Sequence, residues 1–134
     1  MAIYNFDTSI WLDYYEKRGK DGGYALDLIL KIVDENSIII YSDLHIKELK
    51  HLGYNIDEIN AIFKIVKPNN IRRVHISKEQ KEEAKHIAKQ KGVPKGDALH
   101  AIIAKDNMAL MVSKDQDFEK LRHIVGTKKP EELL

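Results

Sequence analysis

A chain of 134 residues is long enough to bury one core unaided, and the absence of cysteine excludes a disulfide framework and a Cys-based zinc site. Its 22 basic and 21 acidic residues leave a net charge of +1, so bulk charge does not mark a nucleic-acid binder, although a basic rim can still surround an acidic centre. The start Met1-Ala2-Ile3-Tyr4-Asn5-Phe6-Asp7 lacks a signal-peptide pattern, no apolar run reaches membrane-spanning length, and no repeat or linker divides the chain, which predicts one cytoplasmic domain over 1–134.

In chain order, Ala2 to Phe6 reads as a short strand ending at Asp7-Thr8, and Ser9 to Arg18 carries Ile10, Trp11, Tyr14 and Tyr15 at helical spacing. After Gly22-Gly23, the stripe Leu26, Ile29, Leu30, Val33 predicts a helix from Tyr24 to Asn36. Ser37 to Tyr41 is a β-branched run too short for a helix, hence a buried strand. Ser42-Asp43 opens a helix to about Leu52, and Ile56, Ile59, Ile62, Phe63 and Val66 mark another, closed by Pro68. Ile71 to Ile76 reads as a strand. Ser77 caps the helix Lys78 to Lys91, whose alternating Lys and Glu predict a solvated face held by i,i+4 pairs. Gly92 to Gly96 is a turn, Asp97 to Asn107 a helix, Ala109 to Val112 a strand and Asp117 to Arg122 a short helix. Strands alternating with helices predict an α/β fold with a mainly parallel sheet covered on both faces, and ligand sites at the carboxyl ends of its strands.

Four carboxylate positions stand out against that framework. Asp7 ends the first strand, where an acid can simply cap the following helix. Glu48 falls on the helix face shared by Leu44, His45, Leu49 and Leu52, where a carboxylate must snorkel, find a buried base or serve a function. Asp97 is a natural N-cap after Gly96, yet Ala101 and Ala104 on later turns leave room beside it. His100 lacks a second His at ligand spacing, so a structural hydrogen bond is its expected role. Asp115 and Asp117 follow a strand, one able to bind while the other caps the helix carrying Phe118 and Leu121. Together the acids form an all-oxygen cluster suited to Mg²⁺ or Mn²⁺. Two such ions roughly 4 Å apart support in-line displacement at phosphorus.

The chain resembles the PIN-domain family of metal-dependent ribonucleases, which includes the VapC-type toxins of toxin–antitoxin pairs. The resemblance runs through Asp7-Thr8-Ser9-Ile10-Trp11-Leu12, Leu44-His45-Ile46-Lys47-Glu48-Leu49, Gly96-Asp97-Ala98-Leu99-His100-Ala101-Ile102-Ile103-Ala104 and Val112-Ser113-Lys114-Asp115-Gln116-Asp117-Phe118. The last is similar to a Thr/Ser-x-Asp-x-Asp-Phe pattern, with Ser113-Lys114 where Thr-Arg is usual. Lys129-Pro130-Glu131-Glu132-Leu133-Leu134 resembles the endings of archaeal members. It implies a three-layer Rossmann-like fold with about five mainly parallel strands and frequent homodimers. The implied activity is hydrolysis of single-stranded RNA, leaving a 5′-phosphate.

On that reading Asp7, Asp97, Asp115 and Glu48 are the catalytic and metal-holding acids, for one or two ions of Mg²⁺ or Mn²⁺. Thr8, Ser9, Ser113 and Asp117 support them, while Lys95, Lys114, Arg72 and Arg73 are surface charges that could meet an RNA backbone. The expected function is an endoribonuclease, the toxin of a VapBC-type pair with a cognate antitoxin as partner. The alternatives are a stand-alone nuclease of rRNA processing or RNA turnover, or a PIN-fold scaffold without catalysis. A helical di-metal oxidoreductase using Asp97-x-x-His100 lacks its second acid-x-x-His, because His45-x-x-Glu48 runs in reverse order.

Overall fold

The computed structural model describes residues 1–134 as five parallel strands between two layers of helices. In chain order these are β1 (Ile3–Phe6), α1 (Thr8–Tyr15), α2 (Gly19–Asp34), β2 (Ile38–Tyr41), α3 (Asp43–His51) and α4 (Ile56–Phe63). Then come β3 (Ile71–Arg73), α5 (Lys78–Lys91), α6 (Lys95–Asp106), β4 (Leu110–Val112) and β5 (Thr127–Lys128). Short 3₁₀ turns at Pro68–Asn70, Gln116–Leu121 and Pro130–Leu133 complete the chain. The sheet order is β3-β2-β1-β4-β5, with β1 central. Tyr4 pairs with both Ile39 and Leu110, so β2 and β4 flank β1, and the order in which strands are added reverses across it while all remain parallel. That is the switch point at which an α/β sheet opens a crevice at its carboxyl edge.

Alternation along each strand divides the core between the two sheet faces. Phe6, Ile39 and Val112 pack with Ile10, Trp11, Leu28, Ile32 and Leu49 on one side. Ile40 and Met111 pack with Ala84, Ile87, Ala101, Ile102 and Phe118 on the other. A strand buried on both faces must be apolar at every position, and Ile38-Ile39-Ile40 is.

Several expected boundaries move. α2 begins at Gly19 and runs through Gly22-Gly23, where a break was expected. Gly22 is buried inside the helix because a Cβ there would lie 2.6 Å from the Asp13 carbonyl oxygen; the α1–α2 contact requires it, not a turn. The inward face of α2 is Ala25, Leu28, Ile29 and Ile32, leaving Leu26 and Leu30 exposed instead of buried as the expected stripe had them. Leu52, at the C-cap of α3, is likewise 60% exposed. Ile59, Ile62 and Phe63 of α4 are buried, as is Val66 beyond its end, and Ile56 at the first turn is exposed. β3 stops at Arg73, since it lies at the sheet edge with only β2 beside it. β5 is the fifth strand that the family resemblance implies, at a place the chain pattern does not mark: two residues carry no period, and only pairing with β4 makes Thr127-Lys128 a strand. Along α5 the one ion pair is Lys85–Glu82 at 3.9 Å, an i,i+3 contact, so the expected i,i+4 ladder is not formed.

Candidate active site

The crevice lies where β1, β4 and the start of α6 meet. Asp7 leaves β1 at the N-cap position of α1, but its side chain makes no capping bond. Its Oδ2 instead accepts hydrogen bonds from Ser113 Oγ at 2.9 Å and Ser9 Oγ at 3.3 Å. Burial raises the Asp7 pKa above the usual carboxylate range, the charges of Glu48 and Asp115 push the same way, and His100 and the Ser113 bond oppose them. Ser113, buried after β4, also accepts the Asp115 backbone N–H at 3.0 Å. One hydroxyl thus orients two acid-bearing segments at once.

Asp97 is not the cap of its helix. α6 starts two residues earlier, with Pro94 at the N-cap, which places Asp97 in the first turn. Its Oδ2 is buried and has no hydrogen-bond partner. Burial, then the charges of Asp7 and Asp115, raise its pKa to about 7, with His100 pulling the other way. Ala101 and Ala104 are fully buried in the core cluster on the inner side of α6.

After β4, Asp115 takes the capping role that could have fallen to Asp117. Its Oδ1 accepts the Asp117 backbone N–H at 2.9 Å and starts the 3₁₀ turn, which Phe118 anchors in the core. Ligand oxygens of Asp97, Asp115 and Asp117 all lie within 4.8 Å of one another. Asp117 therefore stands inside the cluster, though its expected role was only supporting, whereas Asp7 and Glu48 stand beside that trio. An all-carboxylate trio with an orphaned buried oxygen fits a hard divalent cation by donor chemistry.

Glu48 has found a buried base. Its Oε1 accepts from Thr8 Oγ1 at 2.5 Å and from His100 Nε2 at 2.7 Å. Burial works against its charge, but the His100 and Thr8 bonds outweigh it and hold the Glu48 pKa below the ordinary value. In return Glu48 raises His100 against its own burial. The other oxygen, Oε2, abuts Gly96, where a Cβ would stand 2.8 Å away. Glu48 and Asp7 line one groove together with Arg18, Lys47 and His51.

The tertiary fold brings a second imidazole to His100 that spacing along the chain does not announce. His45, from α3, lies 4.5 Å from it between ring centroids. The His45 Nε2–H donates to the Phe6 carbonyl at 2.6 Å, and Nδ1 accepts from the Ser42 N–H at 3.2 Å. Burial, then His100, push the His45 pKa down to about 3. Both ring nitrogens of His45 are thus bonded, whereas His100 is bonded at Nε2 and keeps Nδ1 buried without a partner.

Sequence reasoning missed a second charge network. Asp13, 3% exposed on α1, meets Lys114 Nζ at 2.5 Å and Arg18 Nη1 at 3.6 Å. Lys114 also donates to Asp21 Oδ2 at 2.9 Å, so it ties the loop bearing Asp115 to α1 and α2 and is not a free surface charge. Burial opposes its charge, but these two acids raise its pKa. Asp13 is offset from the Ile10, Trp11, Tyr14 stripe, and only α2 folding over it buries it. Arg73 is similarly bridged to Asp43.

A family model described as the PIN domain matches residues 4–124. The chain belongs to the PIN domain family. Solved structures agree at the level of fold. Rickettsia felis VapBC2 bound to a DNA fragment from their promoter aligns with a TM-score of 0.69 at 18% identity, over 95% of this chain and 98% of that one. A toxin–antitoxin complex from Klebsiella pneumoniae aligns at 0.61 and 17%, over 95% and 97%. VapBC-1 from nontypeable Haemophilus influenzae aligns at 0.64 and 16%, over 96% and 98%. No curated protein sequence matches the chain. In this chain the acids gather at the carboxyl edge of a five-stranded parallel sheet, and no helix is long and apolar enough to cross a membrane.

Proposed function

We propose that this PIN domain is a Mg²⁺- or Mn²⁺-dependent endoribonuclease that cleaves single-stranded RNA, acting as the toxin of a toxin–antitoxin pair. The observation that carries the reading is Asp97: an acid pushed up to about 7 by burial and its acidic neighbours, with a buried oxygen that no protein group satisfies. A cation relieves both costs. Asp97, Asp115 and Asp117 would hold it, with Asp7 completing the set from β1 and Glu48 contributing Oε2 or a water contact. When bound, a divalent ion supplies Lewis acidity toward a phosphoryl oxygen and the attacking water.

The chain's own part is orientation. Ser113 and Ser9 fix the rotamer of Asp7, and Thr8 and His100 fix that of Glu48. Lys114 holds the loop of Asp115 in place. The toxin reading draws on the likeness to VapBC structures and a toxin–antitoxin complex, and implies an antitoxin partner, a cytoplasmic site of action and a homodimer.

Asp7→Asn and Asp115→Asn each keep the shape of the side chain and remove its charge. Both should lower cleavage of single-stranded RNA in Mg²⁺ or Mn²⁺ by at least about 10²-fold, with the circular dichroism spectrum unchanged. Retained cleavage in either variant, or cleavage that survives saturating chelator, sinks the proposal. Co-purification of a short DNA-binding protein encoded next door would separate the toxin from a stand-alone RNA-turnover enzyme.

A further inference from the structure

Beside the acidic centre a second groove, of about 300 Å³, opens between α3, α5 and the start of α6. Its floor is apolar, with Leu44, Ile76 and Leu99, and its rim carries Lys47, Lys81, Lys85 and Lys95. All four lysines are exposed, and only Lys85 has a carboxylate within salt-bridge distance, Glu82 at 3.9 Å. The one acid in the lining, Asp43, is already bridged to Arg73. The groove is continuous with the crevice above Asp7 and Glu48, since Leu44, Lys47 and Gly96 line both.

We propose that this groove carries the backbone of a single-stranded RNA as it leaves the acidic centre, an inference that rests on the nuclease reading above. Clustered carboxylates repel phosphates everywhere except at a bound cation, so a strand must be held by positive charge next to the centre. Lys81 and Lys85 stand one turn apart on α5, with Cβ atoms roughly 6 Å from each other, and face the groove together. Their ammonium groups suit successive phosphates, while the apolar floor accepts sugar and base faces without reading sequence. The opposite side of the centre offers no such field. There Lys120, Lys128 and Lys129 share the lining with Glu119 and Glu132 beside the centre's own Asp115 and Asp117, and Lys114 is held by Asp13 and Asp21. A second copy docked by two-fold symmetry on the lysine rim would set like charges against each other.

The test is the double variant Lys81→Glu/Lys85→Glu in the full chain, beside Lys64→Glu/Lys67→Glu as an equal charge change on a distant surface. The probe is an end-labelled, mixed-sequence single-stranded RNA oligonucleotide, followed by fluorescence anisotropy in chelator and by cleavage in Mg²⁺. The groove variant should bind at least about tenfold more weakly at low salt, and its slope of log K against log salt should fall by about 1.4, for two lost phosphate contacts. KM should rise while the rate at saturating RNA holds, because neither lysine touches the reacting atoms. The distant variant should match wild type within about twofold. Unchanged affinity and slope in the groove variant overturn the proposal. So does a shift in sedimentation with RNA binding intact, which would make the groove an interface between copies, or competition for it by polyglutamate that RNA does not match. If the wild-type protein neither binds nor cleaves the oligonucleotide, the nuclease reading itself fails.

Discussion

Asp97 costs the metal-free protein stability at neutral pH. Its pKa in the folded chain is about 7 against an ordinary value of 3.8, so between those values the folded state retains a proton that the unfolded state has lost. Stability then falls as pH rises through that window and levels off above it. The side chain is half-exposed, so solvent screening reduces the cost to roughly 1 kcal/mol, or about 3–5 °C in Tm. Thermal melts in chelator at about pH 5 and about pH 8 should show wild type losing that much relative to Asp97→Asn. Added Mg²⁺ should then raise the Tm of wild type more than that of the variant. Parallel pH profiles for the two proteins would remove this account of Asp97. The acid at this position could be read from the chain. Its orphaned oxygen could not, because the start of α6 at Lys95 in place of Asp97 decides which way the carboxylate faces.

At the scale of elements, α1 and α2 are set by one glycine. Helix propensity alone favours Gly22→Ala by about 1 kcal/mol. The added Cβ would instead meet the Asp13 carbonyl oxygen at 2.6 Å and Lys17 backbone carbon at 3.1 Å, and backbone cannot swing aside as a side-chain tip can. Overpacking typically costs about 1–3 kcal/mol, and a 2.6 Å approach to backbone puts it in the upper part of that range, about 2–3 kcal/mol. After the propensity gain the variant should be net destabilised by about 1–2 kcal/mol in urea unfolding. A neutral or stabilised Gly22→Ala would mean the helices sit farther apart. The same contact lets Lys114 reach Asp13 and Asp21, so α2 also anchors the loop that presents Asp115. A Gly-Gly pair reads as a break along the chain; only the crossing of two helices turns it into a packing device.

For the whole molecule, the core and the acidic centre are separable. Two apolar clusters of 15 and 14 residues, one on each face of the sheet, make up 29 of the 40 buried residues. The fold therefore does not depend on a metal, unlike small domains that need one to assemble. Chelator should abolish cleavage while leaving far-UV circular dichroism and cooperative unfolding in place. Loss of the unfolding transition in chelator would contradict this division. Charge shows the same division of labour. A net of +1 conceals an acidic crevice bordered by a lysine-rimmed groove, because residues distant in sequence gather by sign only in the folded chain.

By itself the sequence determined the alternation of strands and helices, the apolar strands read at 37–41 and 109–112 and found at Ile38–Tyr41 and Leu110–Val112, and the four motifs bearing Asp7, Glu48, Asp97 and Asp115. Those are local properties: period, β-branching and the position of an acid relative to the end of an element. The tertiary structure decided the remainder. It paired Thr127-Lys128 as a fifth strand, gave Glu48 to His100 and Thr8, brought His45 against His100, drew Asp117 into the trio and buried Asp13 against Lys114. Each of these joins residues on separate elements, and a hydrogen bond or ion pair of that kind has no period along the chain. It exists only once the sheet order β3-β2-β1-β4-β5 has placed β1 between β2 and β4.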